Sequence, residues 1–223
     1  MSPKIAQDPL MGLSVRALTL CAIALFGPGC TRTVTIASTF PSPLIEPLPL
    51  QVGVYYNEAL REYAHREERS GAPTYVIQLG AAQVQLFNEL FAGLFEEAVL
   101  VGAIQASSSK VQAIDAIVEP KIEEYAFVTP RDNGWDYYEV SIRYQVSLYS
   151  PDGELLTSWP VTGYGRSRSK TFRVSRSVDQ ATVSAMRDAA ALMAIEFKNK
   201  AEVRSLLCAT SDDDETFYGD QAC

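Results

Sequence analysis

A stretch of strictly alternating residues near the middle of the chain constrains its fold more than any other feature. In YEVSIRYQVSLY, every second residue from Tyr138 to Leu148 is apolar, and the residues between them are polar. A period of two over this length predicts a strand of an antiparallel sheet with one buried and one wet side. SPDG at 150–153 supplies turn residues. ELLTSWPVTGYG predicts the returning strand, which Pro160 places at a sheet edge or breaks.

Two segments have the residue spacing of amphipathic helices. At 81–101, one apolar stripe recurs at steps of three and four; it consists of Val84, Phe87, Phe91, Leu94 and Ala98. The second helix is predicted to begin near Ser177, where SVDQ forms a capping box, and to run to about Leu207. Further strands are predicted at 50–54 and 73–79, and across Pro120.

The order of these elements is strand, helix, three strands and helix, which predicts an α+β fold. We expect a mostly antiparallel sheet of about four to five strands with two helices packed on one face. A single domain over 50–207 is long enough to bury a core. No internal repeat is visible in the sequence.

The first thirty residues have the pattern of a secretory signal. The apolar run from Ala17 to Phe26 is shorter than the roughly 20 residues that span a bilayer. It fits the range of about 7 to 15 residues of a signal core, and Arg16 supplies the preceding positive charge. Translation can begin at Met1 or at Met11, and the sequence leaves both open.

The end of this segment, LFGPGC, places Cys30 directly after the small residue Gly29. It resembles the lipobox of bacterial lipoproteins, with Gly27 and Pro28 where that motif usually has Leu and then Ala or Ser. The resemblance implies removal of a signal peptide at 1–29 and attachment of lipid, including acyl chains such as palmitate, to Cys30. It also implies the outer membrane, because no aspartate follows the cysteine. Ordinary cleavage near Gly29, leaving a plain thiol, is the alternative.

The mature chain is acidic. Of 19 basic residues, Lys4 and Arg16 leave with the signal, and of 27 acidic residues Asp8 leaves, so 17 and 26 remain and the formal charge is −9. Nucleic acid is a poor partner for such a chain, since its binding depends mainly on neutralising phosphates.

The two ends of the mature chain are predicted to lie outside the domain. Residues 30–49 are rich in Thr, Ser and Pro and predict a tether between the lipid and the domain. Residues 208–223 form an acidic tail that contains Cys208 and Cys223. In an oxidising periplasm this even pair predicts a disulfide, whose loop contributes about 3 kcal/mol in the chain-entropy model. Two free thiols are the alternative.

The sequence contains no pattern that predicts catalysis. His65 is the single histidine, whereas a metal site of the usual His or Cys type needs three or four ligands. Neither a Gly-x-Ser-x-Gly nucleophile elbow nor a phosphate loop is present. We therefore predict a protein that is not an enzyme, without catalytic residues, metal or cofactor apart from lipid on Cys30. A hydrolase that uses His65 is the least favoured alternative.

One basic cluster lies in this acidic chain. RSRSKTFRVSR contains five basic residues within a short span: Arg166, Arg168, Lys170, Arg173 and Arg176. Such a cluster predicts a site for lipid phosphates, lipopolysaccharide or an acidic partner. A solvated loop is the alternative. Aromatic residues on or beside the hairpin are candidates for the same surface or for packing: Tyr137, Tyr138, Tyr149, Trp159 and Tyr164.

The cysteine at the end of the signal, the Pro-rich segment and the helix-on-sheet order resemble small accessory lipoproteins of the bacterial envelope. DAIVEPKIEEYAF at 115–127 is similar to their helix-then-strand segment. Examples are the lipopolysaccharide-assembly lipoprotein, the auxiliary lipoproteins of ABC-type lipid transporters and the curli-secretion lipoprotein.

That resemblance covers 50–207 and implies a non-enzymatic domain beneath the outer membrane. We expect a lipid-anchored, periplasm-facing subunit that binds other envelope proteins in a transport or secretion complex. The alternative is a periplasmic carrier of lipid or glycolipid that uses the basic cluster.

Overall fold

The computed structural model describes residues 31–37, 39–68, 73–105, 114–169 and 173–211. Eight strands and five helices lie in these ranges: β1 Thr31–Thr35, β2 Leu48–Val54, α1 Glu58–Arg61, β3 Ala64–Glu67, β4 Thr74–Gln78, α2 Gly80–Leu94, β5 Phe95–Leu100, β6 Ala116–Val128, α3 Pro130–Asn133, β7 Tyr137–Tyr149, β8 Leu155–Arg168, α4 Val174–Phe197 and α5 Ala201–Ser211. The predicted signal peptide and Cys30 lie outside the described residues, as does the chain after Ser211.

The strands form two mixed sheets, and the predicted α+β class is confirmed. The larger sheet has the order β5-β2-β6-β7-β8, and the smaller has the order β1-β4-β3. The sheets are less antiparallel than predicted, because β2 is parallel to both β5 and β6, and β1 is parallel to β4. Parallel neighbours need a crossover connection, and α2 lies in the connection from β2 to β5.

The alternation predicted for β7 is confirmed. Its apolar set is buried throughout: Tyr138, Val140, Ile142, Tyr144, Val146 and Leu148. Strand β8 pairs with it antiparallel and is an edge strand, which fits Pro160. The backbone N–H of Tyr164, also in this edge strand, donates to Asp188 Oδ2 at 2.9 Å. Satisfying such a group with a side chain leaves it unavailable to a further strand.

Helices α2 and α4 pack on the buried side of the larger sheet. Aromatic rings connect the two helices to the sheet. The ring centre of Phe87 lies 5.4 Å from that of Tyr144, and the ring centre of Phe197 lies 4.9 Å from that of Trp159. Further along β8, helix α4 comes much closer to the strand, because Gly163 and another glycine two residues on have no side chains. The Ala185 carbonyl oxygen of α4 would stand 2.1 Å from a Cβ at Gly163.

The predicted tether at 30–49 is wrong at both ends of that segment. Thr31 to Thr35 form β1, which pairs with β4, and Phe40 is only 6% exposed. The sequence TRTVT is rich in β-branched residues, which suit a pleated strand, and this outweighs the prolines that follow it. The domain therefore includes this segment, and β2 begins at Leu48.

Both long helices differ from their predicted bounds. Helix α2 ends at Leu94, and the chain continues directly as β5, so the apolar spacing of Ala98 belongs to a strand. The second predicted helix begins earlier and is divided into α4 and α5. Ser177 is therefore one turn inside α4, where its Oγ donates to the Arg168 carbonyl oxygen at 3.1 Å instead of capping the helix.

Candidate functional site

The predicted basic cluster lies at one end of the larger sheet, where β8 ends and α4 begins. Arg166 and Arg168 are exposed on the last residues of β8, and Arg173 and Arg176 are exposed at the start of α4. None of these four forms an ion pair with an acid in the described part of the chain. Lys170 lies outside the described residues.

The arginines of β8 lie beside an aromatic residue of the neighbouring strand. Arg168 is the register partner of Tyr137, and Arg166 is the partner of Glu139. The Arg166 guanidinium carbon stands 5.5 Å from the centre of the Tyr137 ring. A cation over a ring at this distance gains a modest electrostatic attraction, so Tyr137 helps to hold the guanidinium at the surface.

The first strand of the chain reaches the same end. Burial raises the pKa of Tyr138, the neighbouring Tyr75 adds to the rise, and the positive charge of Arg32 and a hydrogen bond with Ser169 oppose it. Arg32 in β1 is the register partner of Tyr75 in β4, lies near Tyr138 and is exposed. We call the five arginines at this end the basic end: Arg32, Arg166, Arg168, Arg173 and Arg176.

An exposed tryptophan, which sequence reasoning missed, stands on the loop before β7. Trp135 is 71% exposed. The loop is well braced: Thr129 N–H donates to Asp132 Oδ2 at 2.8 Å, and Trp135 N–H donates to Asn133 Oδ1 at 2.9 Å. Gly134 ends α3 with a φ of 72°, a left-handed conformation that suits glycine. The stretch PRDNGW was the available signal, since a short capped turn ending in glycine leaves the next residue at a loop tip.

The hairpin aromatics divide between packing and exposure. Tyr138 and Trp159 are each 5% exposed and belong to the core. Tyr164 is 66% exposed on the outer side of β8. Tyr149 donates from its hydroxyl to Glu119 Oε2 at 3.0 Å. The predicted aromatic surface is therefore reduced to Tyr137 and Tyr164 on the outer side of the sheet.

A buried carboxylate lies on β6. Glu119 is 1% exposed, accepts from Asn57 Nδ2 at 3.0 Å and pairs with Lys121 Nζ at 2.9 Å, in addition to its bond from Tyr149. The hydrogen bond to Glu119 is the main cause that raises the pKa of Lys121. Asn57 also accepts from the Leu60 amide and so caps α1. Both carboxylate oxygens are satisfied, which is typical of a structural network.

The single histidine packs against aromatic rings. His65 Nε2 lies 3.0 Å from Glu67 Oε2, and its ring centre lies 4.8 Å from Tyr125 and 6.2 Å from Phe127. Within the described ranges, no three acidic, His or Cys side chains gather as ligands for a metal ion. The surroundings of His65 are therefore those of a side chain that fills space between the two sheets.

An apolar pocket of about 210 Å³ lies between α2, α4 and residues 40–43. Leu90 and Ala190 contribute to its walls, and Arg187 lines it as the one charged residue of the set. The rise of about 1.5 Å per helical residue places Arg187 roughly 16 Å along α4 from Arg176. The pocket and the basic end are therefore separate features.

The predicted covalent features are only partly within the described residues. Cys208 lies half-buried in α5, whereas Cys223 and Cys30 lie outside the described residues, so the disulfide and the lipid attachment stay predictions. No helix in the described ranges combines the length and the apolar character needed to cross a membrane.

No protein-family model matches this chain, and no curated protein sequence matches it. Distant similarity is found to a Xanthomonas campestris protein of family DUF330, with TM-score 0.47, 11% identity and coverage of 83% of this chain and 100% of the other. A candidate lipoprotein from Caulobacter crescentus has TM-score 0.37, 9% identity and coverage of 57% and 82%. A candidate neuraminyllactose-binding haemagglutinin homologue from Helicobacter pylori has TM-score 0.41, 12% identity and coverage of 76% and 96%.

Proposed function

We propose that this chain is an outer-membrane lipoprotein that faces the periplasm and acts as a non-catalytic binding or assembly subunit of an envelope transport or secretion complex. The position of Thr31 carries the proposal. Thr31 follows Cys30 directly and is already the first residue of β1, where it is the register partner of Thr74. A lipid on Cys30 would hold the folded body at the membrane surface with no free linker between them.

This short connection favours a stationary subunit. Consecutive Cα atoms are about 3.8 Å apart, so the attachment point lies within one residue of the sheet. A diacylglycerol with an additional acyl chain exceeds the two hydrophobic signals that stable anchoring requires. A body held in this way keeps the surfaces that face away from the anchor open toward the periplasm. Envelope proteins are the partners that such a surface would meet.

The surroundings of the polar residues support a non-catalytic role. His65 lies against Tyr125 and Phe127, and Glu119 has hydrogen-bond partners on both of its carboxylate oxygens. A general base must reach a substrate proton, and neither side chain is arranged for this. Replacing His65 by Asn should therefore leave the protein's role in the envelope unchanged.

The anchor is tested by the intact mass of the protein from its native membrane, beside a Cys30→Ser variant. We expect a chain that begins at Cys30 and carries added acyl mass, and a variant that lacks this mass. A chain cut near Gly29 without added mass would overturn the lipoprotein proposal. The comparison needs no knowledge of the complex, so it is the first experiment.

The subunit role is tested by crosslinking in intact cells, followed by mass spectrometry of the crosslinked neighbours. We expect the same envelope protein or proteins to be recovered repeatedly, and to be recovered again after mild detergent extraction. Recovery of the chain as a lone monomer in both experiments would contradict the subunit role while leaving the anchor intact.

The second candidate function, a lipid carrier, is favoured by the apolar pocket beside α4. Its volume of about 210 Å³ is below the roughly 300–1,000 Å³ of pockets that enclose a whole ligand, so it suits the end of one acyl chain. Mass spectrometry of lipids that co-purify with the protein tests this function. Ala190→Leu fills the pocket and should abolish co-purification if the protein is a carrier. Equal lipid content in the variant would dismiss it.

A further inference from the structure

We propose that the basic end and Trp135 together form a membrane-binding surface that takes the phosphate groups of anionic phospholipids. This inference deepens the proposed function, because it states which face of the anchored body meets the bilayer. The body would then lie on the membrane in one orientation, and its remaining surface would be presented to partners in a fixed way.

Arginines outnumber acids at this end, where Asp136 and Glu139 are also exposed, although the whole chain is acidic. The full chain has a formal charge of −8, yet three separate elements, β1, β8 and α4, each bring exposed arginines to the basic end. None of these arginines forms a close ion pair with an acid of the described ranges, although the charge of Arg176 also acts on Asp179. An arginine without an acid partner is available to bind phosphate with two parallel hydrogen bonds.

Trp135 adds the aromatic component of a membrane-binding surface. Its side chain is 71% exposed although the loop that carries it is held by hydrogen bonds from Thr129 to Trp135. Tryptophan is enriched at the level of lipid headgroups, where its ring meets apolar chains and its N–H meets water. The loop precedes Tyr137, the register partner of Arg168, so Trp135 stands at the same end of the sheet as the arginines.

The predicted lipid anchor favours a membrane over an acidic protein as the partner of this surface. Arg32 is the second residue after Cys30 and the register partner of Tyr75 in β4, which forms a hydrogen bond with Tyr138 at the basic end. A lipid on Cys30 therefore brings the bilayer to this end of the molecule. A protein partner would have to displace the bilayer from the same face. Inner-leaflet phospholipids are thus the source of phosphate that the geometry favours.

The test uses the mature chain from residue 30 to 223 with Cys30→Ser, which carries no lipid. Every described strand and helix lies within 31–211, so this chain contains the whole described fold. Sedimentation is measured with phosphatidylcholine vesicles that contain or lack phosphatidylglycerol. We expect binding only to the anionic vesicles, and loss of binding at high salt, because exposed charges are screened. Equal sedimentation with both vesicles, or none with either, would overturn the proposal.

The arginines are tested by comparing two variants with the same net charge. One carries Arg166→Ser, Arg168→Ser and Arg173→Ser, and the matched control carries Arg61→Ser, Arg143→Ser and Arg204→Ser, which are exposed arginines on α1, β7 and α5. We expect the first variant to bind about tenfold or more weakly, and the control to keep most of the binding. Equal losses in the two variants would show a net-charge effect without a defined surface.

Glu139 provides a gain-of-function variant. It is the register partner of Arg166 and the acid nearest to it along the strand pair. Replacing it by Gln removes a negative charge from the proposed surface, so Glu139→Gln should bind anionic vesicles more tightly than the parent chain. Weaker or unchanged binding would place the membrane away from Arg166 and would contradict the proposal.

The tryptophan is tested by fluorescence quenching with brominated phospholipids in the anionic vesicles. The chain has two tryptophans, and Trp159 is only 5% exposed and packed against Phe197, so it should not be quenched. We expect quenching in the parent chain and none in Trp135→Phe. Quenching that survives this substitution would remove Trp135 from the surface. Because the chain tested here carries Cys30→Ser and no lipid, these results do not depend on the outcome of the intact-mass experiment.

Discussion

Strand β8 has two sides of very different character near its end. On the inner side, Gly163 and Gly165 lie directly beneath the backbone of α4. On the outer side, Tyr164 and Arg166 are exposed to solvent. The difference shows how one strand can fix a structure and display a surface. The glycines bring α4 close to the strand, and this contact sets where the arginines at the start of α4 stand relative to those of β8.

The largest expected effect on stability comes from a substitution on the inner side of β8. At Gly165, a Cβ would stand 2.1 Å from the Ala181 carbonyl oxygen and 2.4 Å from the Ala185 nitrogen. Both atoms belong to helix backbone, so the clash cannot be relieved by a change of rotamer. We expect Gly165→Ala to lower the free energy of unfolding by about 3 kcal/mol or more, measured by urea denaturation.

Gly102→Ala is the matched control for that prediction. A Cβ at Gly102 would meet no atom within 4 Å, so this substitution should leave the urea midpoint nearly unchanged. If Gly165→Ala were as mild as Gly102→Ala, the close packing of α4 on β8 would be wrong, and so would the position of the arginines on α4.

The next effect concerns a buried hydrogen bond below α4. Thr182 donates to the Val178 carbonyl oxygen at 2.8 Å, so the hydroxyl of Tyr125, 2.8 Å from Thr182 Oγ1, is the donor in the bond between them. Thr182→Val leaves that hydroxyl unsatisfied in the core and should cost about 2 kcal/mol. Tyr125→Phe leaves the Thr182 bond to Val178 intact and should cost about 1 kcal/mol. Urea denaturation that gave the reverse order would contradict the assigned donor.

Gln83 on α2 offers a substitution in the core that should raise stability, in contrast to the preceding changes. It is fully buried, and neither atom of its amide has a hydrogen-bond partner among the described residues. Met has a similar volume, suits a helix and needs no hydrogen bond. We expect Gln83→Met to raise the free energy of unfolding by about 1 kcal/mol. A loss of stability in thermal or urea unfolding would indicate that the amide has a partner, such as a buried water.

The two sides of β8 also differ in how well the sequence predicts them. The alternation of β7 was predictable because burial of one face leaves a period of two. The edge position of β8 was predictable from Pro160. The arginines of β8 and α4 were found as a local cluster. Arg32 and Trp135 were missed because only strand pairing brings β1 and the loop after α3 to the same end. The end of α2 was missed because the apolar spacing that defines a helix continues into β5.

A smaller effect is expected where α4 meets the segment after β1. Burial raises the pKa of Asp179, while the Ala37 N–H and Arg176 oppose the rise. The folded protein then binds a proton more tightly than the unfolded chain, so stability falls as the pH rises through the pKa of this carboxyl. Asp179→Asn should raise the free energy of unfolding at pH 7 by roughly 0.5 kcal/mol after solvent screening. This gain should disappear at low pH in urea denaturation.

The smallest effect on stability belongs to the outer side. Arg166 is exposed, and its described contact is with the Tyr137 ring. Removal of such a side chain typically changes the free energy of unfolding by less than about 0.5 kcal/mol. We therefore expect Arg166→Ser to have the urea midpoint of the parent chain and weaker binding to anionic vesicles. A variant that lost stability and vesicle binding together would show that the two sides of β8 are not independent. A stable variant with weakened binding would show that Arg166 contributes to vesicle binding and not to the stability of the fold.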